Sequence, residues 1–147
     1  MDVVGVSGSK PVLQVGGRLF TDLTNMIVLN CAANSTKTST ARLPGGTSGY
    51  AVPAGKTLRI LAMQLSGSID YGCSVGYGDT DVGINSASVP TNYLNWVGHT
   101  SAPNASDKPF TPANGGVSCN WTVPTGKYPC SDSSTGAVGV VMYGYLE

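Results

Sequence analysis

The chain has 147 residues, which fits one domain large enough to bury its own core. Lys+Arg and Asp+Glu are both 8, charged residues make up 11%, and the formal net charge is zero. That balance supplies no basic face for nucleic acid and no polybasic cluster for a membrane surface, and so little charge defends the surface poorly against association.

In chain order, the N-terminus MDVVGVSGSK carries an acid early and lacks the basic start and apolar core of a secretory signal, so none is expected. PVLQV (11–15) and MIVLN (26–30) are short apolar runs that read as strands. Between them FTDLTN (20–25) is the one place where a turn or two of helix is expected, capped by Thr21 or Asp22. AANSTKTSTARLPGGTSG (32–49) is small, polar and without a core pattern, and reads as an extended arm or long loop. The expected organisation is therefore an arm with N-terminal strands over 1–48 and a β-sandwich over 49–147.

TLRILAMQLS (57–66) is apolar on both faces, with Leu58, Ile60 and Ala62 on one side and Leu61, Met63 and Leu65 on the other, as in a strand buried on both sides. IDYGCSVGYG (69–78) alternates Ile69, Tyr71, Cys73, Val75 and Tyr77 against Asp70, Gly72, Ser74 and Gly76, the pattern of a strand with one solvated face. VSCNWTVP (117–124) and AVGVVMYGYL (137–146) add two more strands. Tyr50-Ala-Val52-Pro53-Ala-Gly55-Lys56 returns as Trp121-Thr-Val123-Pro124-Thr-Gly126-Lys127. Proline at the second position of a turn and glycine at its last would make the two copies equivalent corners of a Greek-key sandwich with pseudo-symmetric halves. The fold class is thus all-β, an antiparallel sandwich.

Chemistry is sparse. The single histidine, His99, would have to serve any Ser–His–Asp system, and no nucleophile elbow accompanies it. The sole glutamate is Glu147, which leaves glycoside hydrolysis to aspartates in turn-like settings. No P-loop is present: GYGDTDVG lacks the Lys-Ser/Thr and the following helix. Catalytic residues and cofactors are therefore not expected. Asp79-x-Asp81-x-Gly83-x-Asn85 begins like a calcium loop, yet the fifth, sixth and twelfth positions are Gly83, Ile84 and Pro90 where a ligand, glycine and glutamate are needed. A tight turn whose aspartates bond local backbone N–H groups is favoured over a metal site at Asp79, Asp81 and Asn85.

Tyr77, Tyr93, Trp96 and Trp121, interleaved with Asn92 and Asn95, are the possible ligand or interface residues. Aromatics beside amides can stack on sugars, but core and subunit-interface roles are favoured. With no export signal the four cysteines are expected mostly as free, half-buried thiols; Cys119 with Cys130, bracketing an expected hairpin, is the best disulfide candidate. The sequons at Asn34, Asn104 and Asn120 matter only in a glycosylating pathway.

YAVPAGKTLRI (50–60), GYGDTDVGINSASVPTNY (76–93), VPTGKYP (123–129) and the final YGYLE (143–147) together resemble small structural proteins of tailed-phage and prophage virions, over roughly residues 50–147. The resemblance implies a jelly-roll-like domain that oligomerises, often as a homotrimer, and brings no catalytic residues. It implies a place in the virion, with assembly in the host cytoplasm and release by lysis. One compact domain without a fibrous repeat points to a capsid decoration (cement) protein seated on the major capsid protein. The alternative is a fibre, spike or baseplate component, or a carbohydrate-binding module that recognises host glycans.

Overall fold

A computed structural model describes residues 2–7, 10–34, 36–67, 72–87, 92–99 and 114–147. Every regular element among them is a β-strand. The strands are β1 (Asp2–Ser7), β2 (Lys10–Val15), β3 (Arg18–Phe20), β4 (Ile27–Ala33), β5 (Lys37–Thr40), β6 (Leu58–Gly67), β7 (Gly72–Gly78), β8 (Asn92–His99), β9 (Asn114–Val123), β10 (Tyr128–Thr135) and β11 (Val138–Leu146). All pairings are antiparallel.

Strands β4 to β11 form two four-stranded sheets, ordered β4-β11-β6-β9 and β5-β10-β7-β8. The chain changes sheet at every connection except the β7–β8 hairpin, which is the double Greek-key order of a jelly roll. Inward residues of both sheets, among them Leu29, Cys31, Ile60, Met63, Leu65, Val75, Val123, Val140 and Met142, make one buried core. The sandwich therefore begins at Ile27, not near residue 49.

The segment expected as a polar arm supplies the end of β4 and all of β5. β5 has no apolar alternation: Thr38, Ser39 and Thr40 are all buried, and the hydroxyls of Ser39 and Thr40 accept backbone N–H groups of the 78–87 segment. The Ser39 carbonyl accepts from Cys31 Sγ (3.0 Å), and Cys31 Sγ also meets Ser131 Oγ (2.9 Å), which ties β4 to β5 and β10 across the sandwich edge. Nor does FTDLTN form a helix. Residues 21–26 run without regular structure, and Asp22 takes the Asn25 N–H on Oδ1 and its side-chain amide on Oδ2.

The N-terminal strands form a separate three-stranded sheet, β1-β2-β3. Leu13, Val15 and Phe20 pack on Ala62 and Tyr143 of β6 and β11 and on the partly buried Val28, Leu61 and Val141, a second core on the outer face of the β4-β11-β6-β9 sheet. The Phe20 ring lies 6.1 Å from that of Tyr143 and 6.2 Å from that of Tyr145. The β2–β3 turn closes on β9 backbone to backbone: a Cβ at Gly16 would sit 2.5 Å from Val117 C, and one at Gly116 would sit 2.5 Å from Gly16 N. Arg18 then latches the sheet, its Nη2 donating to the Cys119 carbonyl (3.1 Å) and its Nε to Ser118 Oγ (3.3 Å).

β6 is buried on both faces, as its sequence predicts, but the faces differ from simple alternation. Leu58, Ile60, Met63 and Leu65 share the sandwich core, while Leu61 and Ala62 join the second core. The register against β9 shifts between Ile60 and Ala62, and the opposite partner β11 shifts between Tyr143 and Gly144. A bulge of one residue at Leu61 reverses the side-chain phase beyond it. The Arg59 carbonyl approaches β11 so closely there that a Cβ at Gly144 would lie 2.1 Å from it. β7 puts Cys73, Val75 and Tyr77 inward as expected, yet its other face is covered as well: Ser74, Gly76 and Gly78 are buried.

Candidate functional site

The 78–87 segment that resembles an incomplete calcium loop folds back over β5. Thr38 and Ser86 exchange both backbone hydrogen bonds (2.9 and 2.8 Å), and the Thr40 N–H donates to the Gly83 carbonyl (2.8 Å). Thr40 Oγ1 accepts from the Val82 N–H (3.0 Å), and Ser39 Oγ accepts from the Asn85 N–H (2.9 Å). The segment thereby covers the free edge of β5, where unpaired N–H and C=O groups would otherwise invite another strand. Its Thr80 and Val82 also border a small crevice with Thr38, Thr40, Gly78, Tyr128 and Cys130, over the face expected to be solvated.

Asp81 is the hub of this closure. Its Oδ1 accepts the Gly83 N–H two residues on (2.8 Å), an Asx turn that Gly83 completes at φ +80°. Its Oδ2 accepts the Gly49 N–H from the loop between β5 and β6 (2.7 Å). The Gly49 and Gly83 amides hold the Asp81 carboxyl below the usual carboxylate range. Asp79 points elsewhere and pairs with Lys127 Nζ. Asn85 sits at φ +54° and takes the Asn34 N–H on Oδ1 (2.8 Å). The three side chains of the less favoured metal reading thus serve three different tethers, and no group of three or more metal-ligating side chains occurs among the described residues.

The repeated Val-Pro-x-Gly-Lys corners turn out to bind one another. In each, the lysine N–H returns to the proline carbonyl, Lys56 to Pro53 (3.1 Å) and Lys127 to Pro124 (3.2 Å), with Gly55 at φ +73° and Gly126 at φ +72°. Proline therefore holds the first turn position and glycine the third, one place later in the motif than the sequence suggests, and the positive φ explains the glycine. Val52 and the second corner exchange backbone bonds, Val52 N to Lys127 O (2.9 Å) and Gly126 N to Val52 O (2.8 Å). Thr125 Oγ1 adds a bond to the Pro53 carbonyl (2.8 Å) and takes one from Gly55 N (3.1 Å). The valine of each corner, Val52 and Val123, is buried in the core.

The aromatic candidates do not form one surface. Tyr77 and Trp121 are partly buried and pack against the sandwich core from opposite sheets. Tyr93, Asn95, Trp96 and His99 lie on β8 at the edge of its sheet; their side chains fall outside the described residues. Asn92, at the start of β8, is exposed. Asn34 and Asn120 of the sequons are exposed, and Asn104 lies outside the described residues.

All four thiols are free. Cys119 and Cys130 do not bracket a hairpin, because β9 and β10 belong to opposite sheets. Cys119 Sγ faces the Ile60 carbonyl (3.5 Å) instead. Burial pushes the thiols up, Cys31 to about 11 and Cys119 and Cys130 to about 12, with Cys73 higher still. None is an activated nucleophile at neutral pH.

Sequence reasoning missed two features. Arg59 makes a bidentate pair with Glu147, Nε to Oε1 (2.7 Å) and Nη2 to Oε2 (2.8 Å), and also donates to Asn120 Oδ1 (3.0 Å), which pins the C-terminus to β6 and β9. Leu19, Leu43 and Ile84 are 54%, 47% and 58% exposed, the large apolar side chains most open to solvent among the described residues. Comparison of the chain with family models, with curated proteins and with solved structures found no match.

Proposed function

We propose that this protein is a non-enzymatic structural component of a tailed-phage virion, a decoration (cement) protein that associates with itself, as a homotrimer, and with the head shell. The observation that carries the reading is the strand order. Eight strands in the jelly-roll arrangement, with the β5 edge and the two Pro-x-Gly-Lys corners closed by hydrogen bonds, give a rigid block of the kind used in viral shells. The reading from fold to role is by analogy, since a jelly roll also serves lectins and enzymes. What adds to it is the character of the ordered polar groups: Asp79, Asp81, Asn85, Arg59 and Glu147 each tie one part of the chain to another. Low charge and the open side chains of Leu19, Leu43 and Ile84 suit a surface that neighbouring subunits cover.

The role is mechanical on this reading. Shell subunits bridged by a common partner gain buried area and resist internal pressure together. Light scattering of the purified protein should give a trimer, and the trimer should co-sediment with phage heads stripped of decoration. A monomer that leaves such heads unbound over a broad concentration range would refute the assignment.

A further inference from the structure

Beside the sandwich edge formed by β4, two adjoining hollows of about 390 and 400 Å³ share the walls Ala32, Ser66, Ile84 and Gly139. Together they make one groove across the outer face of β4, β11 and β6. Its floor is low because Ala32, Ser66 and Gly139 are small; even a Cβ at Gly139 would come within 2.9 Å of Ser66 Oγ. Its rim holds two of the exposed apolar side chains, Leu43 and Ile84.

Arg42 is the sole charged residue among those lining either hollow. Its Nη1 donates to the Thr47 carbonyl, but its Nε is buried and has no hydrogen-bond partner. No carboxylate lies within ion-pair distance of it among the described residues; Asp81 feels its charge only weakly and spends both oxygens on backbone amides. Arg42 therefore brings a positive charge with no carboxylate partner among the described residues to the groove wall, and the group that suits a guanidinium is a carboxylate.

The backbone of β4 bears on what carries that carboxylate. Asn30 exchanges both of its backbone bonds with Arg42 (2.8 and 2.9 Å) on the side away from β11. Alternate residues of an antiparallel strand turn their N–H and C=O the same way, so Ala32 directs its pair to this same edge. On either side of Ala32 the edge is filled, by Arg42 at Asn30 and by the Asn85 side chain at Asn34. Ala32 itself is exposed and lines both hollows.

We propose that the groove is a docking site for an extended segment of another protein, which bonds the open β4 edge at Ala32, presents a carboxylate to Arg42, and lays an aliphatic side chain between Leu43 and Ile84. The mode is strand addition at a single gap, with side-chain pockets setting the specificity. It does not rest on the virion reading.

The test uses the full chain and two blocked tripeptides, one with glutamate between two leucines and one with glutamine in its place. Side-chain and backbone amide NMR would follow the Arg42 Nε–H and the Ala32 N–H. The glutamate peptide should shift both resonances, and the glutamine peptide should bind about tenfold more weakly or worse. Arg42→Gln should erase that preference. Ile84→Ser, a substitution on the exposed rim that leaves the fold intact, should weaken both peptides by the same factor. The proposal is overturned if neither resonance moves, if the two peptides bind equally, or if acetate alone shifts Arg42 Nε–H as far as the peptide does.

Discussion

Asp81 offers the sharpest test of whether the GYGDTDVGIN stretch is a clamp or an ion site. Its two oxygens hold two backbone amides, that of Gly49, 32 residues before it, and that of Gly83, 2 residues after it, at 2.7 and 2.8 Å. Carboxylate bonds to backbone N–H groups at exposed helix caps contribute about 1 kcal/mol each, and bonds to charged groups reach about 1.5–3 kcal/mol when shielded. Asp81 is solvent-exposed, so the low end applies, and Asp81→Ala should cost about 1–2 kcal/mol. For a chain of this size that corresponds to a Tm lower by roughly 3–8 °C. Asp81→Asn keeps one acceptor and should lose about half as much. Asp79→Ala removes only an exposed pair with Lys127 and should change stability by less than about 0.5 kcal/mol. Because the folded-state carboxyl is depressed, its contribution is fully present above the ordinary carboxylate value of 3.8 and is lost as pH falls through the lower folded value. The gap between wild type and Asp81→Asn should therefore be constant from neutral pH down to about 5 and shrink in stronger acid. Thermal unfolding monitored by circular dichroism, at several pH values and with or without millimolar calcium, reads all of this. An Asp81→Ala protein as stable as wild type, or a wild type that calcium stabilises through Asp79 and Asp81, would refute the clamp.

Other outcomes follow from the packing. Gly144→Ala places a methyl 2.1 Å from the Arg59 carbonyl at the β6 bulge; urea denaturation should show a loss of about 3 kcal/mol or more, or no folded protein. Gly55→Ala and Gly126→Ala meet no neighbouring atom, so only the left-handed backbone resists them, and each should cost about 1–2 kcal/mol. Phe20→Ala should cost about 3–5 kcal/mol, and hydrogen exchange should then speed up across β1 to β3 before the jelly-roll core. A thiol-specific colorimetric titration should find the native thiols slow to react at pH 8 and all four reactive in denaturant without reductant, because they are free and burial keeps them protonated; fewer than four would mean a disulfide.

Several features were legible in the chain because their causes are local. The strand character of 57–66 and 137–146 lies in their apolar periods, and both form strands, β6 and β11. The two Pro-x-Gly-Lys corners announce turns because glycine alone enters their left-handed position without strain. The failed spacing after Asp79 already argued for backbone bonds, and the Asp81–Gly83 turn is one. The aromatic candidates show the opposite limit: an alternation that sets Tyr77 beside Cys73 and Val75 does not say whether that face meets a ligand or a second sheet, and here it meets the second sheet.

What the sequence determined by itself is the conformational menu: extended segments, the places where the chain turns, and which strand is buried on both sides. Only the tertiary structure decided that the polar KTST segment is a buried strand, since its hydroxyls and carbonyls are satisfied by partners as distant as Val82, Asn85 and Cys31. It alone decided that the two corners clasp each other, that a bulge at Leu61 exchanges the faces of β6, and that Asp81 reaches Gly49. The physical reason is range. Steric and turn preferences act within a few residues, whereas a hydrogen bond between segments tens of residues apart exists only once the sheet order has brought them together.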